Sequence, residues 1–565
     1  MFVSLFSSAI HGVDGYIVRV EVDASNGLPG CAIVGLPDPA VREATERVRS
    51  ALKNSGFEFP TKRLTVNLAP ANTRKEGPGF DLAIALGILA ASGQVEMDPS
   101  VGGYVLMGEL SLDGRVMGVR GVLAAAIAAR EAGMAGIVAP AENAGEAMCV
   151  GGMRVLAARD LRSVVAHMAG GRVDMRGGRG ATQSPSTADS PESAGALGAR
   201  GALKPHDGAA GLSHARRQED LSDVVGQEAA KRALEIAAAG GHNVLLIGPP
   251  GSGKTMLARR LRGILPPLTQ DESLEVTKVH SVCGLLPPGS GLIRERPFRA
   301  PHHTISYSAL VGGGMVDPKP GEVTLAHYGV LFLDEATEFR RDALEALRQP
   351  VEEGFVRVVR SGGAVSFPAR VVLVLSSNPC PCGFLGDPVR ACTCPPGRIE
   401  SYRSRLSGPL LDRIDLHVEV GRVAFDDAGR SKGGTSSSDV LRRVMAARAF
   451  AGRRLAAMGI ACNGLMGHRH VREVVRLDAE CRELLKRAFD GLGLSMRAYD
   501  RILKVARTIA DLESSADVGA KHIAEAIQYR ALDRPPAGAP PRLVDSMTRS
   551  LTAHAADGRK DHASQ

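Results

Sequence analysis

The chain has 565 residues, 69 Lys and Arg against 61 Asp and Glu, 44% hydrophobic residues and no Trp. No uninterrupted apolar run approaches the roughly 18 residues a membrane helix needs, and the start MFVSLFSSAIHGVDGY lacks a secretory signal's basic flank and cleavage site. A cytoplasmic protein of several domains, without a membrane partner, is therefore expected, and the net charge of +8 permits a polyanionic partner without demanding one.

In chain order, strand-like runs at Tyr16–Val22, Leu64–Leu68, Tyr104–Met107 and Gly136–Ala139 interleave with helical patterns at Ala40–Ser55, Asp81–Ser92 and Gly121–Ala132. They predict an α+β domain over residues 1–168. Residues 169–218 are rich in Gly, Ala, Ser and Pro, and their few large apolar residues cannot offset the entropy of ordering, so a linker is expected. Residues 219–428 alternate strands and helices. A second break near Gly429–Asp439 precedes a helical block, 440–533, and residues 534–565 read as a tail. Positive charge concentrates in the helical block, where residues 440–510 hold fifteen Lys and Arg against six Asp and Glu.

The central block carries the strongest motif. The buried-strand run Asn243–Ile247 leads into Gly248, Pro249, Pro250, Gly251, Ser252, Gly253, Lys254 and Thr255, and then into the helix-like MLARRLRGIL. A strand, this glycine-rich loop and a helix form a P-loop. Backbone N–H groups and the helix N-terminus favour phosphate, Lys254 can reach the β- and γ-phosphates, and Thr255 can ligate Mg²⁺. A second apolar strand, Val330–Leu333, ends in Asp334, placed to partner Mg²⁺, and Glu335, placed to activate water. A third, Val371–Leu375, ends in Ser376, Ser377 and Asn378, where a polar side chain could hold that water. Arg413 lies in GPLLDRIDLHVEV and could reach ATP in a neighbouring subunit or pair with Asp412 or Asp415. Arg497 opens an amphipathic helix over 494–510, where it could close on the γ-phosphate or remain solvated.

This order of motifs resembles the AAA+ ATPases of the magnesium-chelatase-like branch, and Arg296–Glu335, the run NPCPCGFLGD and the N-terminal HGVDGYIVRVEVDASNGLPGCAIVGLPD resemble that branch's YifB/ComM group. The resemblance implies an α/β AAA+ module with a helical lid, using ATP and Mg²⁺. It implies Walker A roles for Lys254 and Thr255, Walker B roles for Asp334 and Glu335, a first sensor at Asn378, an arginine finger at Arg413 and a second sensor at Arg497. Asp223–Gln227 resembles the segment that packs on adenine, and the long stretch between the Walker motifs resembles the helix-two insert. Glu352–Val374, turning around Ser361–Gly363, reads as a hairpin and resembles the presensor-one hairpin. Because a finger must come from a neighbour, the family implies a ring, usually a homohexamer.

The first domain resembles the Lon-protease fold in Lys75–Gly93 and Gly108–Gly133, but the Ser and Lys positions of that family's dyad fall on Gly79 and Leu123. Neither side chain supports peptide hydrolysis, so a noncatalytic platform is expected. Cys380, Cys382, Cys392 and Cys394 form two C-x-C pairs whose spacing leaves Zn²⁺, free or redox-sensitive thiols, and disulfides all open. The function expected from the resemblance is an ATP-driven DNA motor, a helicase or branch-migration enzyme serving recombination in natural transformation. A protein remodeller and a magnesium-chelatase ATPase subunit are the alternatives, the latter disfavoured by the N-terminal domain.

Overall fold

The computed structural model describes residues 1–98, 102–169, 219–314, 318–360, 363–422 and 434–530. Almost all of the expected linker and tail, and part of the break near Gly429–Asp439, lie outside them.

The N-terminal region opens with a long hairpin. Phe2–His11 pairs antiparallel with Asp14–Ser25, Phe2 opposite Asp23 and His11 opposite Asp14. Across the seven-stranded sheet the order is Gly30–Val34, Arg63–Ala69, Asp14–Ser25, Phe2–His11, Tyr104–Leu106, Gly136–Pro140 and Arg154–Ala158. Helices Pro39–Asn54, Asp81–Ser92 and Val122–Glu131 stand close to their expected positions. The helix Asp81–Ser92 is buried nearly throughout, which explains its lack of a polar stripe. Its buried Asp81 is paired by Arg47 at 2.8 and 3.0 Å. Strand Phe2–His11 was not among the expected elements, because Ser7 and Ser8 interrupt its apolar pattern although both are buried in the sheet.

The central sheet has five parallel strands in the order Phe298–Arg299, Val330–Leu333, Val372–Ser377, Val244–Ile247 and Leu416–Glu419. Its inner strands are continuous apolar runs because helices and loops cover both faces. The strand feeding the glycine loop lies inside the sheet between Val372–Ser377 and Leu416–Glu419, and the carboxyl ends of Val244–Ile247, Val372–Ser377 and Val330–Leu333 lie along one edge of the parallel sheet. In open parallel sheets the crevice at that edge is where ligands bind.

Helices Ser437–Leu455, His468–Val474, Ala479–Leu492, Met496–Leu512 and Ala520–Gln528 form the last block and share one apolar core with the central sheet. A buried polar cluster ties the two together. Asp415, at the foot of strand Leu416–Glu419, accepts from the Asn243 amide at 3.0 Å and pairs with Arg501, while His242 meets Thr508 at 2.8 Å.

The N-terminal region touches the central one at helix Gln270–Val282, at the loop after it, where the Gly289 amide donates to Glu142 O at 2.8 Å, and at the hairpin that follows Walker B in sequence. Lys278 of helix Gln270–Val282 bonds Asp14 at 2.7 Å, and the Gly121 amide donates to Ser281 O at 3.1 Å. Gly12, at the N-terminal hairpin turn with φ +66°, has no room for a side chain: a Cβ there would stand 2.6 Å from Val365 of the hairpin Phe355–Arg360/Gly363–Pro368. Among the described residues no helix is long and apolar enough to cross a membrane.

Candidate nucleotide site

The loop between strand Val244–Ile247 and helix Lys254–Ile264 is held open by its glycines. Gly251 and Gly253 adopt φ of +78° and +90° and have nothing within 4 Å of an added Cβ, whereas a Cβ on Gly248 would stand 2.0 Å from Val420 O. The backbone therefore arches over a cavity of about 370 Å³ lined by residues 250–256, Asp334, Glu335, Ser376, Ser377 and Asn378. The site residues expected from the P-loop, the acidic strand end and the third strand end thus converge on one space.

Lys254 Nζ donates to Gly248 O at 2.7 Å, Pro249 O at 2.9 Å and Asn378 Oδ1 at 3.2 Å. Burial draws this ammonium below the ordinary lysine range against the opposing pull of Asp334 and Glu335. A charged donor resting on backbone carbonyls beneath an open amide loop is suited to exchange them for phosphate oxygens. Thr255 Oγ1 donates to Asp334 Oδ2 at 2.8 Å, and Ser376 donates to the other Asp334 oxygen. Ser376 Oγ also accepts from the Glu335 amide at 3.0 Å. Glu335 has φ +51°, an uncommon conformation outside glycine, which turns its side chain away from the course of the strand. Ser252 Oγ is buried without a hydrogen-bond partner among the described residues. These unspent and exchangeable donors, with a hydroxyl and a carboxylate side by side, fit a Mg²⁺–nucleotide.

Gln227, from the segment expected to pack on adenine, donates to Gly421 O at 2.6 Å and to Ser252 O at 3.5 Å, joining that segment to the P-loop. Asp223 pairs with Arg260 at 3.0 Å. The two arginines lie outside the cavity lining. Arg413 bonds Glu352 through both Nε and Nη2, and donates to Pro409 O at 2.7 Å. Within one chain its partner is thus neither Asp412 nor Asp415, and 61 residues separate Arg413 from Glu352. Arg497 is exposed on helix Met496–Leu512, while Arg501, one turn on, takes the buried contacts to Asp412 O and Asp415.

The expected hairpin is present in strands Phe355–Arg360 and Gly363–Pro368, and Ser361 at its turn lies outside the described residues. Gly79 sits in a short turn, Pro78–Phe80, and Leu123 is fully buried. The four clustered cysteines lie together in the loop that follows Asn378 and are not joined in disulfides.

The profile described as magnesium chelatase, subunit ChlI, matches residues 220–428, that of subunit ChlI of Mg-chelatase matches 20–143, and that of the subunit's C-terminal part matches 434–530. Similar full-length proteins include competence protein ComM of Haemophilus influenzae, 42% identical over 94% of this chain and 97% of the relative. YifB of Escherichia coli is 42% identical over 93% and 96%, and an uncharacterized protein of Mycobacterium tuberculosis is 43% identical over 93% and 98%. The N-terminal profile carries a chelatase description, but the magnesium-chelatase subunits of Heliobacterium mobile and Rhodobacter capsulatus are 29% and 28% identical over only 36% and 35% of this chain.

Proposed function

The chain belongs to the magnesium-chelatase-like AAA+ ATPases, in the group of YifB and competence protein ComM, and from that premise we propose that it is an ATP-hydrolysing ring motor acting on DNA. The observation that carries the ATPase reading is the convergence of Lys254, Thr255, Asp334, Glu335 and Asn378 on one cavity. In this reading the P-loop amides and Lys254 hold the phosphates, and Thr255 and Asp334 would hold Mg²⁺, which would supply positive charge against the charge that develops on the phosphates. Glu335 orients the attacking water and takes its proton, with Asn378 fixing the water from the adjacent strand end. Arg413 exchanges Glu352 for the γ-phosphate of a neighbour's ATP, which makes hydrolysis a property of the assembled ring, a homohexamer by family habit. Arg497 closes from the lid.

DNA as the substrate rests on the basic helical block and on the hairpin. That hairpin is anchored by buried Val356, Val358, Val365 and Phe367, and leaves Arg357 exposed on its other face. Helicase or branch-migration activity in natural transformation, with the N-terminal region as a noncatalytic Lon-like platform, completes the proposal. One feature favours a polypeptide instead: Val359, near the hairpin turn, is 62% exposed. The chelatase description of the N-terminal match keeps a porphyrin substrate as a further reading.

The deciding experiment measures steady-state ATPase of the full chain alone, with single-stranded DNA, with unfolded protein, and with protoporphyrin, Mg²⁺ and chelatase partner subunits. Stimulation by DNA alone is expected. Stimulation by unfolded protein alone, or Mg²⁺ insertion, would replace the DNA reading.

A further inference from the structure

Two residues beyond Asn378 the chain enters a cysteine loop that the nucleotide chemistry leaves unused. The Sγ atoms of Cys380, Cys382, Cys392 and Cys394 all lie within 4.8 Å of one another, and among the described residues no other group of three or more ligand-type side chains gathers in this way. Cys380 Sγ is 3.4 Å from that of Cys382 and 3.6 Å from that of Cys392, and Cys382 and Cys392 are also 3.6 Å apart. Sulfurs at the corners of a tetrahedron with Zn–S bonds of about 2.3 Å stand about 3.8 Å from one another. A disulfide would require about 2.05 Å. The spacing therefore matches a four-thiolate ligand set. Backbone amides support the sulfurs: those of Phe384 and Thr393 donate to Cys382, and that of Cys394 lies 3.5 Å from Cys392 Sγ. Such outer hydrogen bonds orient metal ligands and spread thiolate charge.

The loop also has a specific place. A Cβ on Gly383, which has φ +83°, would stand 2.6 Å from Cδ of Pro250, so this backbone lies directly on the phosphate-binding loop. Between the cysteine pairs, Phe384 lies under the guanidiniums of Arg390 and Arg422, and Asp387 pairs with Arg422 at 2.6 Å. Arg422 follows Gly421, whose carbonyl receives Gln227, and Gln227 reaches Ser252 on the far side of the P-loop.

We propose that Cys380, Cys382, Cys392 and Cys394 hold one structural Zn²⁺, and that the zinc-held loop braces the phosphate-binding loop through Gly383 and Pro250. On binding, the four thiols release their protons to solvent and all four tetrahedral positions are filled by sulfur, so the ion has no open position for substrate. The brace fixes the P-loop before nucleotide arrives, which lowers the ordering cost of binding.

The test uses the full chain purified under reducing conditions without chelator. Elemental analysis is expected to find one zinc per chain, and the double variant Cys382→Ser/Cys392→Ser to hold less than a tenth of that, while Cys149→Ser keeps it. Should the double variant fail to fold, zinc is displaced from the native protein with an organomercurial, the freed zinc is followed with a chromophoric chelator, and the mercurial is removed with excess thiol. Binding of a fluorescent, slowly hydrolysed ATP analogue, read as affinity and not as turnover, is expected to weaken roughly tenfold once zinc is gone and to recover when zinc is restored. Reduced native protein without stoichiometric metal, with iron in its place, or with zinc retained in the folded double variant overturns the site. Nucleotide affinity unchanged by zinc release overturns the brace. Neither readout depends on whether DNA is the substrate.

Discussion

Asp334 divides its two oxygens between two neighbours, Thr255 at 2.8 Å on one side and Ser376 on the other, while the next residue turns into a positive-φ conformation. That split suits the two carboxylates to the different roles proposed for them: Asp334 is fixed beside the P-loop hydroxyl, and Glu335 is the one proposed to meet water. Glu335→Gln is therefore expected to bind ATP with near-native affinity and to lower turnover by about 10²–10⁴-fold, the range for loss of a general base. Equilibrium binding and single-turnover hydrolysis check the two halves, and retained steady-state hydrolysis would remove Glu335 from the role. Arg413 poses a different question, because its guanidinium is occupied by Glu352 within the chain. Arg413→Ala is expected to bind nucleotide and lose hydrolysis, and mixing it with Lys254→Ala subunits to restore part of the rate. Mixed rings that stay inactive would leave Arg413 as an intrachain pair. Lys254, Asp334 and Asn378 were legible because each follows a short apolar strand. Glu352 was not, since a pair 61 residues apart carries no local signal.

At the scale of elements, the lid is joined to the sheet by charges that water does not reach. Burial alone would raise the Asp415 carboxyl, but Arg501, His242 and Lys504 outweigh it and hold it below the usual carboxylate range. Asp415→Asn leaves Arg501 buried without its counterion and is expected to cost about 3 kcal/mol of stability. A native pKa below the unfolded value means that this contribution is in force above about pH 4 and fades as acid carries the pH down toward the native value. Urea unfolding at pH 7 and pH 3 should thus show a larger gap between native protein and variant at the higher pH than at the lower. A gap of equal size at both would contradict the assignment. The helix Met496–Leu512 was readable from its apolar stripe, but which arginine turns inward was not. Arg497 and Arg501 are one turn apart, and Asp415, which selects Arg501, lies on a distant strand. Strand Phe2–His11 escaped for a related reason, because its buried serines are satisfied by backbone partners, Leu106 O at 2.8 Å for Ser7 and Tyr16 O at 3.0 Å for Ser8.

Across the whole molecule, the N-terminal region rests on elements either side of strand Val330–Leu333, helix Gln270–Val282 with the loop after it and the hairpin Phe355–Arg360/Gly363–Pro368. Gly12 meets the hairpin at Val365, and Asp14 and Gly121 meet helix Gln270–Val282. Gly12→Val adds a branched side chain at φ +66° where Val365 already stands. It is expected to cost about 1–3 kcal/mol and to lower the urea midpoint of the full chain, with circular dichroism of the folded protein unchanged. An unchanged midpoint would contradict that contact. The same contacts hold the hairpin against the N-terminal region, as the proposed platform role requires. The most direct test of the proposed DNA motor follows a mobile four-way DNA junction by gel, with the full chain, ATP and Mg²⁺, beside Glu335→Gln. Resolution of the junction by the native protein, abolished in the variant and without ATP, is the predicted result. A junction left intact by assembled rings that are hydrolysing ATP would contradict the account.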